Sequence, residues 1–124
     1  LDERNLSGCG GLTMDLLTGP WRVIDVAGEA PPAGPVPTLE FSGEGRVAGR
    51  AGCNRYTGTF TLTGEGLTFS PLAATRMACP EPAMAFEQRF FEVLRRVTRV
   101  SVAEGGRLVL LAGDDAVMRL DRPR

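Results

Sequence analysis

The sequence predicts a mainly β fold, either a sandwich or a closed barrel, with one amphipathic helix. Two features support this prediction. Short apolar segments separated by glycine-rich turns fill most of the chain, and one stretch, residues 82–97, has helical spacing of its apolar side chains. The chain has 124 residues, of which 43% are hydrophobic and 23% charged. One domain of this size can bury a substantial core without a metal or cofactor.

Five short strands are expected before the helix. The clearest is residues 56–63, where the even positions hold Tyr, Gly, Phe and Leu and the odd positions hold Thr. This alternation predicts a strand with one buried face and one wet face. A proline-rich loop over residues 30–37 separates the first two strands, and glycine turns connect the later ones. The expected strands are residues 20–26, 38–42, 46–51, 56–63 and 67–69.

Residues 82–97 break this rhythm. Phe86, Phe90 and Leu94 recur at helical spacing, and charged residues occupy the other side. We therefore expect a helix that begins at Pro82 and lies as a lid on the end or on one face of the β structure. Three more strands should follow, at residues 100–102, 108–111 and 117–120.

The first residues have a different character from the rest of the chain. Residues 1–18 are interpreted as an N-terminal tail or the remnant of an upstream domain or linker, followed by a domain over residues 19–122. Leu6–Cys9 fits the cleavage pattern of a bacterial lipoprotein, in which Cys9 would carry the lipid. The residues before this pattern are charged rather than apolar, which favours the end of an upstream domain instead.

The composition argues against several kinds of chemistry. The chain contains no histidine, the commonest acid/base group and metal ligand. Its net charge is -1 and its arginines form no basic block, so nucleic acid is a poor candidate partner. No apolar run approaches the about 18 residues of a membrane-spanning helix. Three scattered cysteines without a CxxC pair do not match a metal site. We expect no metal, no cofactor and no enzymatic activity.

Two motifs carry a family resemblance. Gly52–Gly58 (GCNRYTG) and Thr75–Cys79 (TRMAC), with Trp21 before them and Glu87 and Phe90 in the helix, closely resemble the META (HslJ-like) domain family. The resemblance covers nearly the whole predicted fold. It implies a small lipocalin-like antiparallel β-barrel of about eight strands with one helix. It also implies a bacterial envelope protein, often a lipoprotein, in a family without established enzymatic activity. The type member of that family is heat-inducible and linked to novobiocin resistance.

An envelope location makes a disulfide possible. Cys53 and Cys79 lie 26 residues apart, and in an oxidising compartment they would join the end of the third strand to the start of the helix. The alternative is two buried free thiols in a cytosolic protein. Cys9 has no evident partner. We expect an extracytoplasmic protein, periplasmic or attached to the outer membrane, that is not membrane-spanning and is a monomer.

The candidate site lies beside the two cysteines, because the disulfide would bring both motifs to one rim of the barrel. The candidate partner-binding residues are Asn54, Arg55, Thr75 and Arg76. The two arginines could form an anion-binding patch, or they could pair with Glu81 and Glu87. Asn54 is expected to bond its local backbone in a turn, and Met77 to fill the core.

Two function classes remain open. The first is a non-enzymatic envelope module, structural or partner-binding, linked to envelope stress or antibiotic tolerance. The second is a carrier that holds a small ligand inside the barrel. The sequence favours the first class, because the phenylalanines of the predicted strands and helix suffice to fill a small barrel. The partner, an envelope protein or a small ligand, is not identified by the sequence.

Overall fold

The protein is described here by a computed structural model that covers residues 14–32, 36–64 and 66–123. Two α-helices, one short 3-10 helix (Glu104–Gly106) and nine strands occupy these residues. The helices are α1, Met14–Leu17, and α2, Ala83–Arg96. The strands are β1 Gly19–Val26, β2 Thr38–Phe41, β3 Arg46–Arg50, β4 Arg55–Thr63, β5 Gly66–Phe69, β6 Ala73–Ala74, β7 Arg99–Val102, β8 Leu108–Ala112 and β9 Asp115–Asp121.

Eight of the nine strands close into a barrel. Their order around the barrel is β3-β2-β1-β9-β8-β7-β5-β4, and pairing of β3 with β4 completes the ring. Every pairing among the described strands is antiparallel. The short strand β6 lies outside the ring, along the same edge of β4 as β5. The prediction of an antiparallel eight-stranded barrel with one substantial helix is confirmed.

The predicted alternation of β4 positions the core. Tyr56 and Phe60 are buried, and the four threonines between and after them are exposed. The Phe60 ring packs edge-on against Phe41 from β2, with ring centroids 5.0 Å apart. Such aromatic pairs stabilise a core by somewhat more than their buried area alone. The period-2 pattern of the sequence therefore directs the aromatic side chains of β4 into the core.

Helix α2 packs its apolar side against the end of the barrel where β3 turns into β4. Phe86, Phe90 and Leu94 are buried, and Arg95 is exposed, as predicted. The ring of Phe90 lies 5.5 Å from that of Tyr56. Each buried Phe contributes about 1.5–3 kcal/mol through removal of apolar surface from water. The helix thus acts as the lid that the sequence suggested, and it belongs to the same core as the barrel.

Two glycines allow close packing at this end of the barrel. A Cβ at Gly49 would overlap the carbonyl oxygen of Thr38 on the neighbouring strand. Gly52 has φ +136°, a backbone conformation that other residues rarely adopt, and its Cα faces the start of α2 near the Ala83 carbonyl oxygen. Gly49 therefore lets β3 lie close to β2, and Gly52 lets the turn after β3 lie directly against the helix.

Arg122 joins the segment that enters β1 to the segment that leaves β9. The indole N–H of buried Trp21 donates a hydrogen bond of 2.8 Å to the Leu17 carbonyl oxygen. The Arg122 guanidinium lies over the Trp21 ring, 3.9 Å from its centroid. It also donates to the carbonyl oxygens of Leu16, Thr18 and Pro20, each at 2.9 Å.

The structure differs from the sequence-based expectations in three local features. Helix α2 begins at Ala83, and Pro82 precedes it as the N-cap residue instead of forming its first turn. Strand β6 and the short helix α1 were not predicted. Of the predicted tail over residues 1–18, the structure describes only residues 14–18. Leu17, at the end of α1, is fully buried and belongs to the core. Residues 1–13, with Cys9, lie outside the described residues.

The single tyrosine provides a test of the packing. Tyr56 is buried and donates a hydrogen bond of 2.7 Å to the Thr38 carbonyl oxygen. Burial raises the pKa of Tyr56 far above the usual value of about 10. Because the neutral phenol is favoured in the folded state, its stabilising contribution is complete below pH about 10 and is lost as the pH rises beyond that value.

We therefore expect tyrosinate absorbance at 295 nm to appear only together with unfolding in an alkaline titration. Far-UV circular dichroism, recorded in parallel, gives the unfolding transition. The same protein in concentrated guanidinium chloride should titrate near pH 10. A tyrosine that ionises near pH 10 in the folded protein would contradict the described packing of Tyr56.

Candidate binding groove

A disulfide links the two motifs that the sequence singled out. Cys53 follows the turn after β3, and Cys79 lies four residues before α2; their Cα atoms are 6.2 Å apart. The structure thus contains the predicted bridge, which closes a loop with a sequence separation of 26. A cross-link of this kind restricts the unfolded chain and holds residues 75–79 against the end of the barrel.

Asn54 lies beside the bridge and is almost fully buried, with 2% exposure. Its side-chain oxygen accepts hydrogen bonds from the Thr75 hydroxyl at 2.9 Å and the Met77 N–H at 2.7 Å. Its side-chain nitrogen donates to the Met77 carbonyl oxygen at 3.2 Å and to Glu87 Oε2 at 2.7 Å. All four hydrogen-bonding positions of the amide are thereby occupied. Asn54 was expected to bond its local backbone, and it instead connects segments more than 20 residues away.

Glu87 of α2 completes this network. Its Oε1 accepts from the backbone N–H groups of Cys53 at 3.1 Å and Asn54 at 2.7 Å, and Oε2 accepts from the Asn54 amide. The residue is only 6% exposed. A buried carboxylate is tolerated when several donors are directed at it, and such charge-assisted bonds are stronger than neutral ones. In the sequence Glu87 stood out only as part of the family resemblance and as a possible partner of the two arginines. Its position next to Phe86 and three residues before Phe90 already places it on the buried side of the helix.

The four predicted rim residues lie together in the structure. The Thr75 N–H donates to the Arg55 carbonyl oxygen at 3.0 Å, and the Arg55 N–H donates to the Thr75 hydroxyl at 3.1 Å. Arg55, Thr75 and Arg76 are exposed, and Asn54 lies beneath them. No described residue forms an ion pair with the side chain of Arg55 or Arg76, so the alternative pairing with Glu81 and Glu87 is not found among the described residues.

A groove of about 580 Å³ opens between this segment and α2. Asn54 and Glu87 form its floor. One wall comes from the chain around β6 and the other from one side of the helix. The remaining lining residues are Pro71, Leu72, Ala74, Thr75, Arg76, Met77, Ala78, Met84, Phe91 and Arg95.

Met77 belongs to this groove and not to the core. The prediction that it fills the core is wrong, because its side chain is 56% exposed. The backbone explains the outcome: both its N–H and its carbonyl oxygen are bonded to Asn54. The side chain is consequently directed to the surface. The groove therefore offers a flexible apolar side chain of the kind that adapts to a binding partner.

The groove provides binding groups and little catalytic chemistry. Of its lining residues, Glu87 alone carries a carboxyl group, and both carboxylate oxygens already accept hydrogen bonds. In the described parts of the chain, no three Cys, Asp or Glu side chains are grouped so as to hold a metal ion. No helix over those residues has the length and apolar character needed to cross a bilayer. The groove exposes arginines and apolar side chains at its surface.

Comparison with known families identifies the fold. Residues 14–124 match the META domain, which accounts for nearly the entire chain. The chain belongs to the META domain family. This confirms the resemblance drawn from the GCNRYTG and TRMAC motifs. Asn54 of the first motif and residues 75–78 of the second line the groove.

Solved structures give the same fold. The NMR structure of a protein from Burkholderia xenovorans is 25% identical to this META domain, with a TM-score of 0.74, and the similarity covers 98% of this chain and 95% of that chain. A second NMR structure is 23% identical over 89% and 94% of the two chains, with a TM-score of 0.70. The crystal structure of a DUF4847 family protein from Bacteroides vulgatus is 14% identical over 87% and 94%, with a TM-score of 0.62. Comparison with curated proteins gives no significant match.

The substitution Glu87→Gln tests the network. A glutamine places an N–H₂ group where Glu87 Oε2 accepts from the Asn54 amide, and Asn54 cannot reverse because its oxygen already accepts two bonds. We expect the free energy of unfolding to fall by about 1.5–3 kcal/mol, measured by urea denaturation. Glu92→Gln, at an exposed position of the same helix, should change it by less than about 0.5 kcal/mol. Equal effects of the two substitutions would refute a structural role for the Glu87 carboxylate.

The contribution of the Cys53–Cys79 disulfide to stability can be tested by reduction. Reduction should lower the free energy of unfolding by about 3–4 kcal/mol, because the unfolded chain regains the freedom of a loop closed over 26 residues. The Cys53→Ser/Cys79→Ser variant should unfold identically with and without reductant. Thiol titration of the denatured, unreduced protein should find one free thiol, that of Cys9. Three free thiols would show that the bridge does not form in solution.

Proposed function

We propose that this META domain is a non-catalytic recognition module of the bacterial cell envelope, and that it binds a partner in the groove between the β6 segment and α2. One observation carries the proposal. Arg76 and Arg95 stand exposed at a groove of about 580 Å³, beside the apolar side chains of Met77, Met84 and Phe91. Concave surfaces that combine apolar lining with a few charged groups are typical of binding sites.

The groove is held in a fixed shape, which supports a recognition role. The wall formed by residues 75–79 is attached to the barrel by the Asn54 hydrogen bonds and by the disulfide. A wall fixed in this way loses little conformational freedom when a partner binds, so less binding free energy is spent on ordering. Exposed loop residues on a rigid scaffold are a common place for recognition.

The packing of the barrel favours this surface over an internal ligand site. The interior positions of Phe41, Phe90 and Leu110 are 1% exposed or less, and Phe60 is 6% exposed. Small barrels whose interior is filled by side chains leave no volume for a ligand. A carrier function inside the barrel is therefore less well supported than binding at the groove.

The chemistry of the bridge supports an envelope location. Disulfides persist in the periplasm and other oxidising compartments and are rare in the cytosol. The Cys53–Cys79 bridge lies at the edge of the groove and supports an extracytoplasmic site of action. A role in envelope stress or antibiotic tolerance is in keeping with that location.

The test is complementation of a strain that lacks the protein. Susceptibility to novobiocin and to heat or detergent stress is measured with the wild-type protein and with the Arg76→Ala/Arg95→Ala variant. We expect the variant to lose most of the protective effect while its melting temperature and abundance stay unchanged, because both side chains are exposed.

Arg46→Ala serves as the matched control. Arg46 is exposed at the first position of β3, away from the groove, and no described residue pairs with its side chain. It should complement fully. Full complementation by the Arg76→Ala/Arg95→Ala variant would rule out these arginines as the recognition surface.

A further inference from the structure

Strand β6 has one edge that the described fold leaves open. It is the last strand in the sheet order and pairs, among the described strands, with β4 alone. Both of its residues, Ala73 and Ala74, are exposed, and Ala74 lines the groove. The open edge of β6 therefore forms one side of the proposed binding surface.

The backbone groups of Ala74 point into that open edge. The Thr75 N–H donates to the Arg55 carbonyl oxygen at 3.0 Å, toward β4. Hydrogen-bonding directions alternate along an antiparallel strand, so the N–H and carbonyl of Ala74, which is aligned with Tyr56, point away from β4. The backbone N–H and carbonyl of Arg76 point outward in the same way, because the N–H groups of the residues on either side, Thr75 and Met77, are directed inward.

The wall of the groove formed by α2 is about as long as a short β-strand. Met84, Glu87, Phe91 and Arg95 recur every three or four residues and form one face of α2 along the groove. The distance along the helix from residue 84 to residue 95 is about 16 Å. An extended chain of about five residues spans this distance.

The charged residues at the groove favour a negatively charged partner. Arg76 and Arg95 are exposed, and no described residue pairs with either side chain. The Glu87 carboxylate beneath them is already engaged by three N–H groups. Arginine offers donors in a planar arrangement that fits a carboxylate in two places at once. An acidic partner would therefore find two available cations and no free carboxylate among the groove's lining residues.

We propose that the groove binds an extended acidic segment of another protein, about five residues long, that adds as a strand to the open edge of β6. Main-chain hydrogen bonds to Ala74 and Arg76 hold the segment, and alternate side chains contact different parts of the groove. Apolar side chains pack against Met84 and Phe91, and carboxylates reach Arg76 and Arg95. This inference rests on the groove being the recognition surface proposed above.

The test uses blocked heptapeptides and the ¹⁵N-labelled, disulfide-bonded protein. One peptide alternates valine with glutamate, a second alternates valine with lysine, and two more are the glutamate peptide N-methylated either at all valines or at all glutamates. We expect the glutamate peptide to shift the amide signals of Ala74 and Arg76 and to bind at least tenfold more tightly than the lysine peptide. One N-methylated peptide should bind and the other should not, because only alternate N–H groups of an added strand face β6.

A charge-reversed protein provides the matched control. Arg76→Glu/Arg95→Glu should reverse the preference, so that the lysine peptide binds more tightly than the glutamate peptide, whereas Arg46→Glu should leave the preference unchanged. Equal binding of the lysine and glutamate peptides would overturn the acidic partner. Binding of both N-methylated peptides, or absence of shifts at Ala74 and Arg76 at millimolar peptide, would overturn strand addition. In each of these cases the complementation result still decides whether the groove is the recognition surface.

Discussion

The buried pair of Asn54 and Glu87 is the interaction on which the organisation of this barrel end depends. It joins the turn after β3, the segment that carries β6, and helix α2, which are three parts of the chain with no strand pairing that would unite them all. A carboxylate removed from water is costly unless donors surround it, so the three segments must adopt one arrangement to satisfy it. The disulfide holds the same arrangement by a covalent route. The two devices reinforce each other, since Cys53 and Asn54 are adjacent.

This arrangement also explains why a groove exists in a barrel with a filled core. The aromatic side chains of β4 and α2 bring the helix against the barrel end, and the rigid segment before the helix stands away from it. The space between them is thus set by packing on one side and by hydrogen bonds on the other. Surface side chains in that space can be exchanged without loss of the core, which is the property expected of a recognition surface on a stable scaffold.

The sequence predicted the parts of the structure that have a repeating pattern. The alternation in residues 56–63 and the spacing of Phe86, Phe90 and Leu94 repeat often enough to define a buried face. Strand β6 contains two residues, too few to show any period. It is aligned with β4 by backbone hydrogen bonds on either side of it, from Ser70 to Thr59 and from Thr75 to Arg55. Glu87 was overlooked as a site residue for a related reason. Its partners lie 33 and 34 residues away, and no local pattern encodes such a contact.

The hydrogen bonds of Arg122 have a consequence for how this domain can be joined to other domains. The chain enters the barrel at β1 and leaves it at β9, and these strands are neighbours, with Arg22 aligned with Asp121 and joined to it by an ion pair of 3.1 Å. Arg122 then binds the carbonyl groups just before β1. The two points of attachment are therefore side by side, on one side of the molecule. A host protein could carry this barrel as an insertion in a surface loop, with its own fold undisturbed.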